Sequence, residues 1–153
     1  MQIISPNKVI RGKNAWKESL PEIIKISKSP LLLGRSQITR SLRSDIFNDL
    51  SQLNLKVYNS ELEFDCCEED LTRIYNHANE HKCDSIITAG GGKVLDAGKL
   101  LADYLSVPCI TVPLSASTCA GWTALGNIYT TEGKFVKDIK LKSCPNILVC
   151  DHS

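Results

Sequence analysis

The residues best equipped for chemistry in this sequence lie between Ser85 and Lys99, in the stretch SIITAGGGKVLDAGK. Ile86-Ile87 reads as a buried strand. Gly90-Gly91-Gly92 and Lys93 follow it. Val94, Leu95, Gly98, Leu101, Ala102 and Leu105 then fall on one face at helical spacing. Strand, glycine turn and helix form the layout of an anion site. Glycine lets the backbone approach a ligand closely, and the first turn of a helix offers unpaired N–H groups and partial positive charge. Lys93 adds a full charge there. The alternative is a tight strand-to-helix turn that holds nothing.

Two common phosphate motifs fail on this stretch. In the Walker pattern G-x-x-x-x-G-K-[ST], Lys93 stands in place of the first glycine and Leu100 in place of Ser or Thr. The dinucleotide pattern G-x-G-x-x-G is met at Gly90 and Gly92, but Leu95 occupies the third glycine position. The other metal-ligating candidates are weaker. His77 and His81 stand four residues apart on an expected helix, yet Glu80 directly precedes the second, so H-E-x-x-H is not formed. A solvated polar face explains that pair better. The seven cysteines, Cys66, Cys67, Cys83, Cys109, Cys119, Cys144 and Cys150, include no C-x-x-C and form an odd set. They suggest neither a zinc site nor a disulfide framework, and several lie in apolar runs as small hydrophobes.

A length of 153 residues suits one domain with a real core. Eighteen basic and seventeen acidic residues leave a net charge of +1, which gives no electrostatic reason to expect nucleic acid or an anionic membrane as partner. No apolar run approaches the roughly 20 residues of a membrane-spanning helix. The N-terminal MQIISPNKVIRGK lacks a signal-peptide layout, so the thiols are expected to be reduced and the chain cytoplasmic.

The elements that must carry the glycine turn follow from periodicity. Short strands are expected at Ile3-Ile4 and Val9-Ile10 around Pro6-Asn7. A helix capped by Ser19, with Pro21 in its first turn, should run to about Lys28. Pro30–Gly34 reads as a buried strand, and Ile38, Leu42, Ile46, Leu50 and Leu53 predict a helix over Gln37–Leu53. Leu55–Tyr58 is the next expected strand and Asp65–Lys82 the next helix. After the glycine turn come a strand at Val107–Val112, a polar segment Leu114–Thr123, a hairpin of Asn127–Thr131 and Lys134–Leu141, and a last strand at Ile147–Cys150. Strands alternating with amphipathic helices predict an α/β domain, a Rossmann-like, mainly parallel sheet with helices on both faces. Ligands bind such sheets at the carboxyl ends of the strands, where Gly34-Arg35-Ser36, Gly90–Lys93 and Leu114–Thr123 would meet.

TAGGGKVLDAGK, followed by CITVPLSASTCAGWTALGNIYTTEGKF, resembles the iron-containing alcohol dehydrogenases, in particular the glycerol dehydrogenase branch. The resemblance covers essentially the whole chain. Glycerol-1-phosphate dehydrogenases are similar around GGGKV, but carry His-Asp-Gly where this chain has Thr118-Cys119-Ala120. A fragment of such an enzyme and a stand-alone nucleotide- or partner-binding module are the alternatives. The resemblance implies a dehydroquinate synthase-like N-terminal domain over residues 1–153 that binds NAD or NADP. It places the cofactor pyrophosphate on Gly91, Gly92 and Lys93, with Asp96 in the same motif. Leu114, Ser115, Ser117, Thr123, Leu125 and Tyr129 match cofactor-lining positions, although Ser115, Ser117 and Thr118 serve equally as turn and cap residues. Cys119 stands at the substrate-binding position, where the branch usually has an Asp that touches the polyol. Arg35 stands where the family usually has a ribose-binding Asp. A guanidinium there pairs with a 2′-phosphate, so NADP(H) is expected to bind at least as well as NAD(H), unless the arginine simply points into solvent. The family's metal ligands fall beyond Ser153. The expectation is therefore a domain inactive alone, taking zinc or iron only when a C-terminal helical domain is supplied. Its small-molecule partner would be an alcohol or polyol, and its protein partner that helical domain or further copies of the chain.

Overall fold

The computed structural model describes residues 5–114 and 120–153. In chain order its elements are β1 (Lys8–Gly12), α1 (Ala15–Ile26), β2 (Pro30–Gly34), α2 (Arg40–Gln52), β3 (Tyr58–Glu61) and α3 (Glu68–Glu80). They continue with β4 (Ser85–Gly90), α4 (Gly92–Leu105), β5 (Cys109–Pro113), β6 (Leu125–Tyr129), β7 (Phe135–Lys140) and β8 (Ile147–Asp151). Six strands form one sheet in the order β1-β8-β5-β4-β2-β3, every pair parallel. β6 and β7 form a separate antiparallel hairpin.

The expected mainly parallel α/β architecture is therefore the observed one, and burial explains it. Every residue of β2 and β4 is buried, as a strand covered on both faces requires. Successive side chains point to opposite faces, so Leu32, Ile87 and Ile110 pack with α1 and α2 through Trp16, Ile23, Ile46 and Leu50. Leu31, Leu33 and Ile86 pack on the other face with α3, α4 and the hairpin, through Leu71, Ile74, Leu100 and Ile128.

Several boundaries differ from the periodicity reading. The helix expected from Ser19 begins at Ala15, and Pro21 lies exposed inside it. The early start is fixed from outside the helix. The Trp16 backbone N–H donates to the Asp151 carboxylate at 3.0 Å, and its indole N–H donates to Asp49 at 2.9 Å. Ser19 is buried and its hydroxyl donates to the Trp16 carbonyl, so it is not a cap. α2 starts three residues later than expected because Ser36–Thr39 makes a turn, in which the Ser36 hydroxyl accepts from the Ile38 N–H. Ile38 is 92% exposed, and the buried stripe is Arg43, Ile46 and Leu50 instead. β3 sits at Tyr58–Glu61, not Leu55–Tyr58. Its register is set by Leu31–Gly34 of β2, while Leu55 closes the end of α2 by donating to the Leu50 carbonyl. The hairpin strands fall near their expected places, joined through Gly133 at φ 85°. The expected strand at Ile3-Ile4 lies outside the described residues. All six described cysteines are free thiols. Cys66, Cys67, Cys83, Cys109 and Cys144 are buried, and Cys150 is half-buried.

Candidate functional site

β2 lies between β3 and β4, while β4 leads through α4 to β5 on its other side. The chain therefore leaves β4 in the direction opposite to its exit from β2, and a crevice opens at such a switch point. Gly90 ends β4 there and Gly91 is the N-cap of α4, with φ −85° and ψ −173°. A Cβ built on Gly91 would meet nothing within 4 Å. The opposite holds about two turns further along α4, where a Cβ on Gly98 would lie 2.2 Å from Thr88 Cβ. Gly98 serves helix–strand packing; Gly91 leaves the first turn of a 14-residue helix open to a ligand.

Charged and aromatic groups stand around that opening. Lys93 Nζ donates to Asp65 Oδ2 at 2.8 Å and lies 4.5 Å from the centre of the Tyr129 ring. Arg35 Nη2 donates to the Phe64 carbonyl at 2.6 Å and lies 3.9 Å from Asp65 Oδ2. Tyr129 is held by its own N–H, which donates to the Cys66 carbonyl at 2.8 Å. Arg35, Lys93 and Tyr129, far apart in sequence, thus converge on the loop Phe64–Cys66. Asp70 fixes that loop by accepting from the Phe64 and Asp65 N–H groups at 2.7 and 3.0 Å and from Arg73 at 3.0 Å. Burial raises the Asp70 pKa, but the Phe64, Arg73 and Asp65 donors outweigh it and hold the carboxyl below the usual carboxylate value.

Asp96 is placed differently. It is buried, lies 3.2 Å from Lys99 Nζ, and accepts from the Asn127 N–H at 3.2 Å. Burial pushes its pKa up and the nearby Lys99 charge opposes that shift. Lys99 is only 2% exposed, and its ammonium donates to the Thr123 carbonyl and hydroxyl and to the Leu125 carbonyl at 2.6–3.2 Å. Asp96 and Lys99 therefore strap α4 to the segment that carries Thr123 and Leu125 into the hairpin. Leu114, half-buried, donates from its N–H to the Gly90 carbonyl at 3.0 Å, which ties the end of β5 to the glycine turn. Ser115, Ser117 and Cys119 lie outside the described residues.

Beside this crevice is a second opening of about 1040 Å³, walled by Trp16, Leu42, Ile46, Leu114 and Trp122, with Asp151 on its rim. Among the described residues no group of three or more His, Cys, Asp or Glu could hold a metal ion. His77 and His81 have ring centres 4.6 Å apart, and Tyr58 stacks on His81 at 4.5 Å, so the pair is spent on ring packing. The described residues do not fit zinc or iron. They leave room for a pyrophosphate at the start of α4, where a Cβ on Gly91 would meet nothing within 4 Å. Sequence reasoning missed Asp65, Asp70 and the Lys99 strap. Periodicity puts Asp65 at the start of a helix over Asp65–Lys82, whereas α3 begins at Glu68 and Asp65 lies in the loop before it.

The fold and crevice define a parallel α/β domain with an open glycine turn at its switch point. The sequence profile of the iron-containing alcohol dehydrogenases matches residues 6–152, and the chain belongs to that family. It represents the N-terminal domain of the glycerol dehydrogenase-like branch. A glycerol dehydrogenase of Escherichia coli O6:H1 is 31% identical over 150 residues, 97% of this chain and 41% of the relative. An uncharacterised oxidoreductase of Synechocystis is 44% identical over 88 residues, 58% of this chain and 23% of the relative. The crystal structure of glycerol dehydrogenase from Schizosaccharomyces pombe superposes with a TM-score of 0.87 at 26% identity, covering 98% of this chain and 38% of that one. The chain spans about 41% of the length of the E. coli relative and less of the Synechocystis one.

Proposed function

We propose that this chain is the NAD(P)-binding part of a metal-dependent oxidoreductase acting on a small alcohol or polyol. The observation that carries the reading is the Gly91 opening at the start of α4, flanked by Lys93, Arg35 and Tyr129. The backbone N–H groups of the first turn would hold the cofactor pyrophosphate on Gly91 and Gly92, and Lys93 would add charge. Thr123, Leu125 and Tyr129 would line the remainder, with Ser115 and Ser117 from the adjoining segment. NAD(P), when bound, supplies the hydride acceptor. The metal that polarises an alcohol would come from residues outside the described ones, since these hold no ligand trio. A helical domain, or a second copy of the chain, is the protein partner in this reading, and Cys119 stands at the sequence position where the glycerol dehydrogenase branch usually has its polyol-binding Asp.

Fluorescence titration with NADH and NADPH tests the reading. Saturable binding to the chain, abolished by Gly91→Val with the far-UV circular dichroism unchanged, is the expected result. Unchanged affinity in that variant would refute it.

A further inference from the structure

We propose that Asp65 is a specificity-determining counter-charge: its carboxylate tunes the opening at the glycine turn to a phosphate diester pair, against more highly charged free anions. The inference rests on the cofactor reading above. The Asp65 side chain is 4% exposed. Its Oδ1 accepts the Cys66 N–H at 2.7 Å, while Oδ2 accepts Lys93 at 2.8 Å and lies 3.9 Å from Arg35. Two cations flank the opening, and this one carboxylate lies between them, leaving the trio at +1 where the cations alone would give +2. The hairpin closes over the same group: a Cβ on Gly133 would lie 3.3 Å from Asp65 Oδ2 and 3.6 Å from Lys93 Nζ. Only the carboxylate is kept from water, its side chain being 4% exposed against 39% for Lys93, and that burial reduces the screening of its field.

Holding Lys93 in place does not call for a charge. A backbone carbonyl or an amide oxygen would accept the same hydrogen bond. What a carboxylate adds is repulsion of whatever anion reaches the glycine turn, and that repulsion grows with the anion's charge. Inorganic pyrophosphate carries more negative charge at neutral pH than the pyrophosphate diester of a dinucleotide, because its terminal oxygens ionise near pH 6–7. A uniform loss of affinity would not discriminate between the two; one that scales with charge does. Asp65 is thus a repulsive element aimed at the wrong ligand.

The test measures dissociation constants of the chain for inorganic pyrophosphate by calorimetry and for NADH by fluorescence. Wild type is compared with Asp65→Asn and Asp65→Ser, both of which keep an acceptor for the Cys66 N–H. Pyrophosphate is expected to bind about tenfold more tightly to the variants, as removal of one partly screened like charge would give. NADH, with about two pyrophosphate charges against about three, should gain about fivefold, so the pyrophosphate-to-NADH ratio of dissociation constants falls about twofold. An unchanged ratio, or weaker binding of both ligands, overturns the proposal and leaves Asp65 a mere anchor for Lys93. Gly91→Val in the same backgrounds separates the two readings. If it abolishes binding while the ratio has not moved, the counter-charge fails and the cofactor site stands. If pyrophosphate binding survives Gly91→Val, the anion site itself lies elsewhere and both fall.

Discussion

Two glycines seven residues apart illustrate how local environment divides one residue type into two roles. Gly91 faces open space, whereas Gly98 lies against Thr88, whose hydroxyl donates to the Val94 carbonyl at 2.6 Å and cannot easily retreat. Gly98→Ala should therefore destabilise the chain by about 1–3 kcal/mol through overpacking. That outweighs the roughly 1 kcal/mol that alanine gains in a helix interior. Urea denaturation reads the difference, and a stabilised variant would show that Thr88 yields. Arg35 makes a prediction of the opposite sort, about a ligand. It is already positioned by the Phe64 carbonyl and Asp65. NADPH is expected to bind at least as tightly as NADH, with Arg35→Ala lowering NADPH affinity selectively; a preference for NADH that survives that variant would make the arginine irrelevant. The glycine turn and Lys93 were legible in the sequence because strand, turn and helix are contiguous. Asp65 was not, because it reaches Lys93 across 28 positions and no spacing encodes that contact.

At the scale of elements, the Asp96–Lys99 strap couples α4 to the hairpin. Removing one partner leaves the other buried without its counter-charge, so Lys99→Met is expected to cost about 3–5 kcal/mol. It should also loosen Thr123 and Leu125, both tied by the same ammonium. Thermal unfolding checks the first effect, and amide hydrogen exchange of residues 123–127 the second. pH separates two buried carboxyls. Asp70 has a lowered pKa in the folded chain. It contributes stability above the ordinary Asp value of 3.8, and that contribution is lost as pH falls through the folded value. Asp96 has a raised pKa, so its contribution favours acid pH and fades as pH rises from 3.8 through the folded value. Asp70→Asn should accordingly flatten the acid limb of a stability-against-pH curve, read as midpoint urea concentration; an unchanged limb would show that other carboxyls dominate it. Of the elements themselves, β2 and β4 were legible as apolar runs that end in glycine, α4 as the apolar helical pattern that starts at the glycine turn, and the hairpin by its Glu132-Gly133 turn. The start of α1 was not. Trp16 is held there by Asp49 and Asp151, partners 33 and 135 positions away. Periodicity also misread α2, whose buried stripe includes Arg43, with its guanidinium donating to Glu61 at 3.1 Å.

For the whole molecule, the division of labour is plain: the described residues supply a sheet, a glycine turn and its charges, and no trio of metal ligands. The chain with zinc or ferrous iron, NAD(P) and a panel of alcohols is expected to yield no reduced cofactor. Steady metal-dependent turnover that disappears in His152→Ala would place a metal site where none is foreseen. The core has a further use that follows from its thiols. Burial pushes the pKa of Cys83 up to about 11 and that of Cys109 up to about 12, far from the thiolate form that reacts at neutral pH. An alkylating reagent will then modify Cys109, on a strand flanked by β4 and β8, only in molecules that have opened. Its labelling rate becomes a clock for rare excursions of the native state, with half-buried Cys150 keeping faster time. Any dinucleotide that binds only the closed chain must slow that clock, by a factor fixed by its concentration over its dissociation constant.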